Sequence, residues 1–280
     1  MNRRDLLGLL ALTLVAGCSA GGSGGADPAA SGSAATSRTP SPAPVTGRDD
    51  EALRQAARRD DVPAAQRLIA AGSDVNAKDA GGESAYLITT ADNAPGVLEL
   101  TLRNGARIND LDSWNGTGLI RAAERGHAQI VGRLLRAGIS KDHVNRIGYQ
   151  AIHEVVWLGA DDEGHIDTTR VLVAGGVQLD RPSGNERLTP LQMARERGYR
   201  TIEATLAAAS TATRPTDPDA ELVRAAAAGR PDQVALALRA GADLASRDGR
   251  GRTAWVASQG REDVRRLLRA MGASPGRVGS

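Results

Sequence analysis

The chain has 280 residues, 41% of them apolar and 24% charged, and 35 Lys and Arg against 33 Asp and Glu leave a formal charge of +2. The charges are interspersed, so the basic face that nucleic-acid binding needs is not evident. Aromatics are 2%, Phe is absent and a single cysteine rules out an internal disulfide, so any core must be thin layers of Leu, Ala, Val and Ile.

Residues 1–17 read as an export leader. Arg3 and Arg4 give a short basic start, and Leu6 to Ala16 is an apolar run too short to span a bilayer. The run ends at Val15-Ala16-Gly17-Cys18, which resembles the lipobox of bacterial lipoprotein signals: an aliphatic residue, two small ones, then cysteine. That resemblance implies a diacylglyceryl thioether on Cys18, cleavage before it and acylation of the new amino end. Two acyl chains anchor firmly where one is marginal. The expected location is therefore extracytoplasmic, on the cell membrane through an N-terminal lipid, and on the outer membrane if the cell is diderm. Asn2-Arg3-Arg4-Asp5-Leu6-Leu7 also resembles a twin-arginine export motif. Residues 18–48 carry the lipidated cysteine and a disordered tether of Gly, Ser, Ala, Thr and Pro, which has little to bury. As a coil it reaches on the order of 30 Å.

From residue 49 the chain repeats itself. Gly72, Gly105 and Gly138 stand 33 residues apart, and Asn76 and Asn109 keep the interval. A second marker (Asp60, Asn93, Gly126, Gly164, Gly198, Gly229, Gly260) runs 12 residues ahead of Gly72, Gly105, Gly138, Gly176, Ser210, Gly241 and Gly272. A period of this size signals a stack of small units. One unit is clearest from Thr117 to Gly138. Leu119, Ala122 and Ala123 share one face of a short helix that Gly126 ends, and Ile130, Val131, Leu134 and Leu135 stripe a second helix. Two such helices cannot hide their apolar faces alone, so neighbours must stack on them.

These residues resemble the ankyrin repeat. Thr189-Pro190-Leu191-Gln192 is the nearest copy of its Thr-Pro-Leu-His element, with degenerate copies at Ser84, Thr117 and Gln150. Gly126-His127 and Gly164-His165 match its Gly-His step, and Gly72-Ser73-Asp74-Val75-Asn76 and Gly105-Ala106-Arg107-Ile108-Asn109 match its hairpin entry. The resemblance implies an all-α solenoid of about seven helix-turn-helix units with hairpin fingers, beginning near Glu51, Ser84, Thr117, Gln150, Thr189, Ala220 and Thr253. Repeats 1–5 occupy 49–209, residues 210–218 form a proline-containing distorted finger or linker, repeats 6 and 7 occupy 219–274, and 275–280 is a disordered tail. In the fourth unit five extra residues precede Gly164 and form an Asp161-Asp162-Glu163 loop. The fifth lacks a proper exit, with Ser210 in place of glycine. Repeats 6 and 7 either continue the stack or restart as a module. Two units are few for stability, which favours one continuous stack.

Little reads as catalysis. His127, His153 and His165 fall on structural repeat positions, His143 falls in a finger, and no pair has metal-ligand spacing. Asp161, Asp162, Glu163 and Asp167 could gather a hard cation, but carboxylates ahead of a helix suit its dipole equally. No nucleophile elbow or phosphate loop is present. Neither enzyme activity nor a cofactor, metal, nucleic acid or small-molecule substrate is expected. The informative residues are tryptophans. Trp255 aligns with Leu119 and should be core, whereas Trp157 and Trp114 should be partly exposed on one side of neighbouring units. With Arg121, Arg125 and Glu154 they form a candidate contact patch for an unidentified protein partner, exposed Trp being a typical anchor. The leading function is a non-catalytic interaction scaffold tethered by lipid to a membrane. The alternatives are an inhibitor or immunity protein for an exported enzyme or toxin, and an enzyme or small-ligand receptor, which would need a deep polar pocket.

Overall fold

The computed structural model describes residues 47–274. The leader, the lipobox with Cys18, the tether up to residue 46 and the tail 275–280 lie outside them. The described residues form seven helix pairs and no sheet. They are α1 (Asp50–Arg58) and α2 (Val62–Ala70), α3 (Ala85–Ala91) and α4 (Pro95–Arg103), α5 (Gly118–Glu124) and α6 (Ala128–Arg136), α7 (Ala151–Trp157) and α8 (Glu163–Ala174), α9 (Pro190–Arg197) and α10 (Arg200–Thr211), α11 (Pro218–Ala228) and α12 (Pro231–Arg239), and α13 (Ala254–Ala257) and α14 (Glu262–Ala270).

Each pair starts at a cap. Asp49, Ser84, Thr117, Thr189, Asp217 and Thr253 accept a backbone N–H from the first turn of the helix they precede. At Gln150 the His153 ring serves instead, its Nδ1 accepting the Gln150 backbone N–H at 3.2 Å. Such caps contribute about 0.5–2 kcal/mol each.

The period has a backbone origin. Asp60, Asn93 and Gly126 end the first helices with φ of 51°, 55° and 71°, and Gly72, Gly105 and Gly138 end the second with 98°, 81° and 86°. Gly82, Asn115 and Gly148 turn the fingers with 80°, 62° and 86°. Each set keeps the 33-residue interval. Asn and Asp tolerate the left-handed region best after glycine, so Asp60 and Asn93 can replace it. Inside the fingers, Asp79 accepts the N–H groups of Gly81 and Glu83, and Asp112 those of Trp114 and Gly116. These bonds hold the Asp79 carboxyl below the ordinary carboxylate range, the Glu83 N–H contributing most.

Repeats 1–5 stack in sequence. The first helices α1, α3, α5, α7 and α9 pack one on the next, as do α6, α8 and α10 among the second helices. Side chains in the fingers join neighbours: the Asn76 carbonyl accepts from Arg107 N–H at 2.8 Å, and its amide donates to the Gly105 carbonyl at 2.9 Å. Asn109 accepts from Ser140 N–H, and Asp142, at the next 33-residue step, from Gln178 N–H.

The stack then stops. Ser210 lies inside α10, its hydroxyl donating to the Leu206 carbonyl. With no residue to turn left-handed, α10 runs to 12 residues where α2 has 9, and no finger follows. The chain leaves through 212–217 and enters α11 at Pro218. The extensive α9–α11 pairing of a continuous stack is absent among the described residues. Instead α12 packs on α8, and α14 on α6 and α8. Repeats 6 and 7 therefore lie back to back against repeats 4 and 3, which corrects the expectation of one continuous solenoid. Two units cannot bury their own faces, and the backs of α6 and α8 supply the missing surface. A single apolar cluster runs from Tyr86 through Leu172 to Leu268 across this junction.

One further correction, and one expectation that holds, concern single residues. Gly164 is not a turn glycine: α8 begins at Glu163, and Asp162 caps it. Trp255 is core, 8% exposed, with the Arg265 guanidinium 4.5 Å from its ring centre.

Candidate protein-binding surface

The five residues of the expected patch lie on α5, on α7 and on the finger before α5, but only some face solvent. Trp114 does, at 37% exposure. It occupies a finger tip beside left-handed Asn115, and the Asp112 carboxylate fixes its backbone N–H at 2.8 Å. Its carbonyl accepts from the Arg146 N–H of the next finger at 3.0 Å, so adjacent tips are bonded into a ledge. The ledge continues where Gly184 N–H donates to the Gly148 carbonyl at 2.9 Å. Arg125, at the end of α5, is exposed and 3.8 Å from Glu124.

Trp157 ends α7 and is half-buried. Its ring meets Tyr149 edge-on, with centroids 6.0 Å apart, and the Arg197 guanidinium lies 4.3 Å over its face. Tyr149 is fully buried, its hydroxyl bonded to the Glu186 carboxylate. Burial, and then that carboxylate, push its phenol pKa well up.

Arg121 and Glu154 do not belong to a contact patch. The Arg121 side chain is 11% exposed and pairs with Glu83 at 2.5 Å and Asp112 at 3.1 Å. Glu154 is wholly buried and accepts the Asn145 amide at 2.7 Å. They are the same position in successive units, and each reaches a partner nine residues upstream, Asp112 or Asn145, at the head of its own finger. A charge on the first helix thus braces the finger over it. The nine-residue spacing, repeated 33 residues on, was the sequence signal for this role.

The histidines are tied to backbone. His153 Nδ1 accepts the Gln150 N–H and Nε2 donates to the Arg181 carbonyl at 2.9 Å, which is a neutral tautomer. Burial pushes its pKa down to about 4. His127, lowered by burial too, faces the Thr90 carbonyl, His143 the Asn115 carbonyl, and His165 the Glu124 carbonyl. The acidic run after α7 is dispersed into separate roles. Asp161 accepts the Thr201 and Ile202 N–H groups at the start of α10, Asp162 caps α8, and Asp167 pairs with Arg266. This surface presents an aromatic ring and guanidinium groups on a braced ledge.

No protein-family model matches the chain. Among curated proteins it is 30% identical over 145 residues to the ankyrin repeat protein YahD of Escherichia coli (strain K12), an alignment covering 51% of this chain and 72% of YahD. It is 32% identical over 138 residues to neurogenic locus notch homolog protein 2 of Homo sapiens, which takes in 48% of this chain and 5% of that protein. Among solved structures, an ankyrin repeat domain from Acinetobacter baumannii AYE is 37% identical with a TM-score of 0.54, covering 61% of this chain and 88% of that one. Paired helices, left-handed exits, bonded fingers and these likenesses agree that the chain belongs to the ankyrin repeat family, whose units form protein–protein interaction scaffolds.

Proposed function

We propose that this protein is a non-catalytic scaffold, held by lipid on Cys18 at the extracytoplasmic face of a bacterial membrane, that captures a protein partner on the first helices and finger ledge of repeats 3–5. The observation that carries the binding part is Trp114. It is a large aromatic held exposed by bonds on both sides of its own backbone, as an interface anchor should be. The Val15-Ala16-Gly17-Cys18 box supports the anchoring part, and the Gly, Ser and Pro composition up to residue 48 supports a spacer between lipid and repeats.

One experiment examines both parts. Membranes from cells expressing the full chain are cross-linked, and cross-linked products are compared among wild type, Cys18→Ala and Trp114→Ala. Cys18→Ala should move the protein out of the membrane fraction. Trp114→Ala should keep it there and lose the cross-linked species. Membrane retention of Cys18→Ala would refute the anchor, and an unchanged cross-link pattern in Trp114→Ala would refute the surface.

A further inference from the structure

We infer that the partner presents an acidic segment to this ledge, an inference that rests on the surface being a protein-binding one. The three fingers of repeats 3–5 sort their charges by direction. Arg146, Arg181 and Arg187 stand exposed on them, and none forms an ion pair among the described residues. Arg125 is exposed at the end of α5, where it lies 3.8 Å from Glu124. The carboxylates of the same fingers are mostly spent inward. Asp112 is 5% exposed and holds Arg121 and the Trp114 turn. Asp142 takes the Gln178 N–H, and Glu186 takes the Tyr149 and Ser183 hydroxyls. Asp180 is the one carboxylate of these fingers left exposed without such a partner.

The result is a local field that the whole-chain charge of +2 conceals. Exposed arginines stand on the same ledge as an exposed indole, and most carboxylates of its fingers are already bonded within it. Arg forks bind carboxylates bidentately, and complementary charge sets orientation and on-rate around an apolar anchor. The occupant that fits is an Asp- or Glu-rich stretch with one apolar residue for the Trp114 ring.

Display selection of random peptides on the full chain tests this, run in parallel on Trp114→Ala and on the triple variant Arg146→Glu, Arg181→Glu, Arg187→Glu. A second triple variant, with Gln at the three positions, guards against misfolding, and thermal midpoints are compared. Wild type should enrich Asp and Glu over the starting library. The selected peptides should weaken roughly tenfold or more on either triple variant and as salt rises through the physiological range. Neutral or basic peptides that are lost on Trp114→Ala would overturn the acidic assignment and leave the surface intact. Acidic peptides kept by the triple Glu variant would overturn the assignment as well. Recovery of no peptide that depends on Trp114 would remove the surface itself. Equal competition by a single-stranded oligonucleotide would make the ledge a general polyanion site and end the proposal.

Discussion

The Asp167 carboxylate on α8 and the Arg266 guanidinium on α14 lie 2.5 Å apart, although 99 residues separate them in the chain. They sit within a chain of charges that joins the two groups of repeats. Arg266 also reaches Glu163 at 3.2 Å, Asp167 faces Arg170 at 3.6 Å, and Arg170 binds Asp232 of α12 at 2.8 Å. Nearby, Arg239 donates to the Val173 and Val177 carbonyls at 3.2 and 3.0 Å. Repeats 6 and 7 are thus latched to the back of repeats 3 and 4 by directional bonds as well as by apolar contact.

The two ends of that pair are unequally buried, so their removal should cost unequally. Asp167 is 6% exposed and Arg266 27%. Arg266→Ala leaves a buried carboxylate with only the longer 3.6 Å contact to Arg170 and should cost about 2–4 kcal/mol, whereas Asp167→Ala leaves a cation that still has Glu163 and water and should cost about 1–2 kcal/mol. Urea unfolding of the two variants measures the difference. Equal costs, or none, would mean that the latch is solvent-exposed.

Gly132 tests the docking by the sign of an effect. A Cβ at this position would collide with the Ala270 carbonyl of α14. In an open helix, Gly→Ala stabilises by roughly 0.5–1 kcal/mol. Against α14 it should instead destabilise by about 1–3 kcal/mol. A Gly132→Ala protein more stable than wild type would show that the back of α6 is free.

Stability should fall with acid through His153. The unfolded imidazole protonates near pH 6.5 and the buried one near 4. Between those values the unfolded chain binds more protons, so stability drops as pH falls through this window, by about 3 kcal/mol when integrated. Above pH 6.5 this contribution is fully present. His153→Gln should lower stability at neutral pH and flatten the slope between pH 6.5 and 4. An unchanged slope would assign the acid sensitivity elsewhere.

The two tryptophans of the ledge should separate. Trp114→Ala removes an exposed ring and should change stability by less than about 1 kcal/mol while losing the partner. Trp157→Ala opens a gap between Tyr149 and Arg197 and should cost about 2 kcal/mol. Thermal unfolding of each variant, beside a binding measurement, distinguishes anchor from packing. A comparable loss of stability in both would make Trp114 a packing residue.

Much of the repeat architecture was legible because it is local. A left-handed turn needs Gly, Asn or Asp at one place, and an N-cap needs an oxygen-bearing side chain at another. Hence Asp60, Asn93 and Gly126, and Ser84, Thr117 and Thr189, can be read from single positions. The ledge was half legible. Trp114 stands out by type, and the nine-residue spacing marks the inward role of Arg121 and Glu154, but nothing in the sequence says that Arg146 and Arg187 stay out. That depends on which finger lies above each helix.

The amino-acid order alone determined helix pairs, their period, and the loss of the turn at Ser210 that ends the regular stack. It left open where repeats 6 and 7 would go, since a two-unit piece can bury its faces against any apolar surface within reach of the 212–217 linker. Only the tertiary structure chose the backs of α6 and α8. Gly132 admits close approach there, and Asp167 and Arg170 find Arg266 and Asp232. Contacts between residues 62 to 99 positions apart carry no local signature, so their energies appear only when the chain is folded.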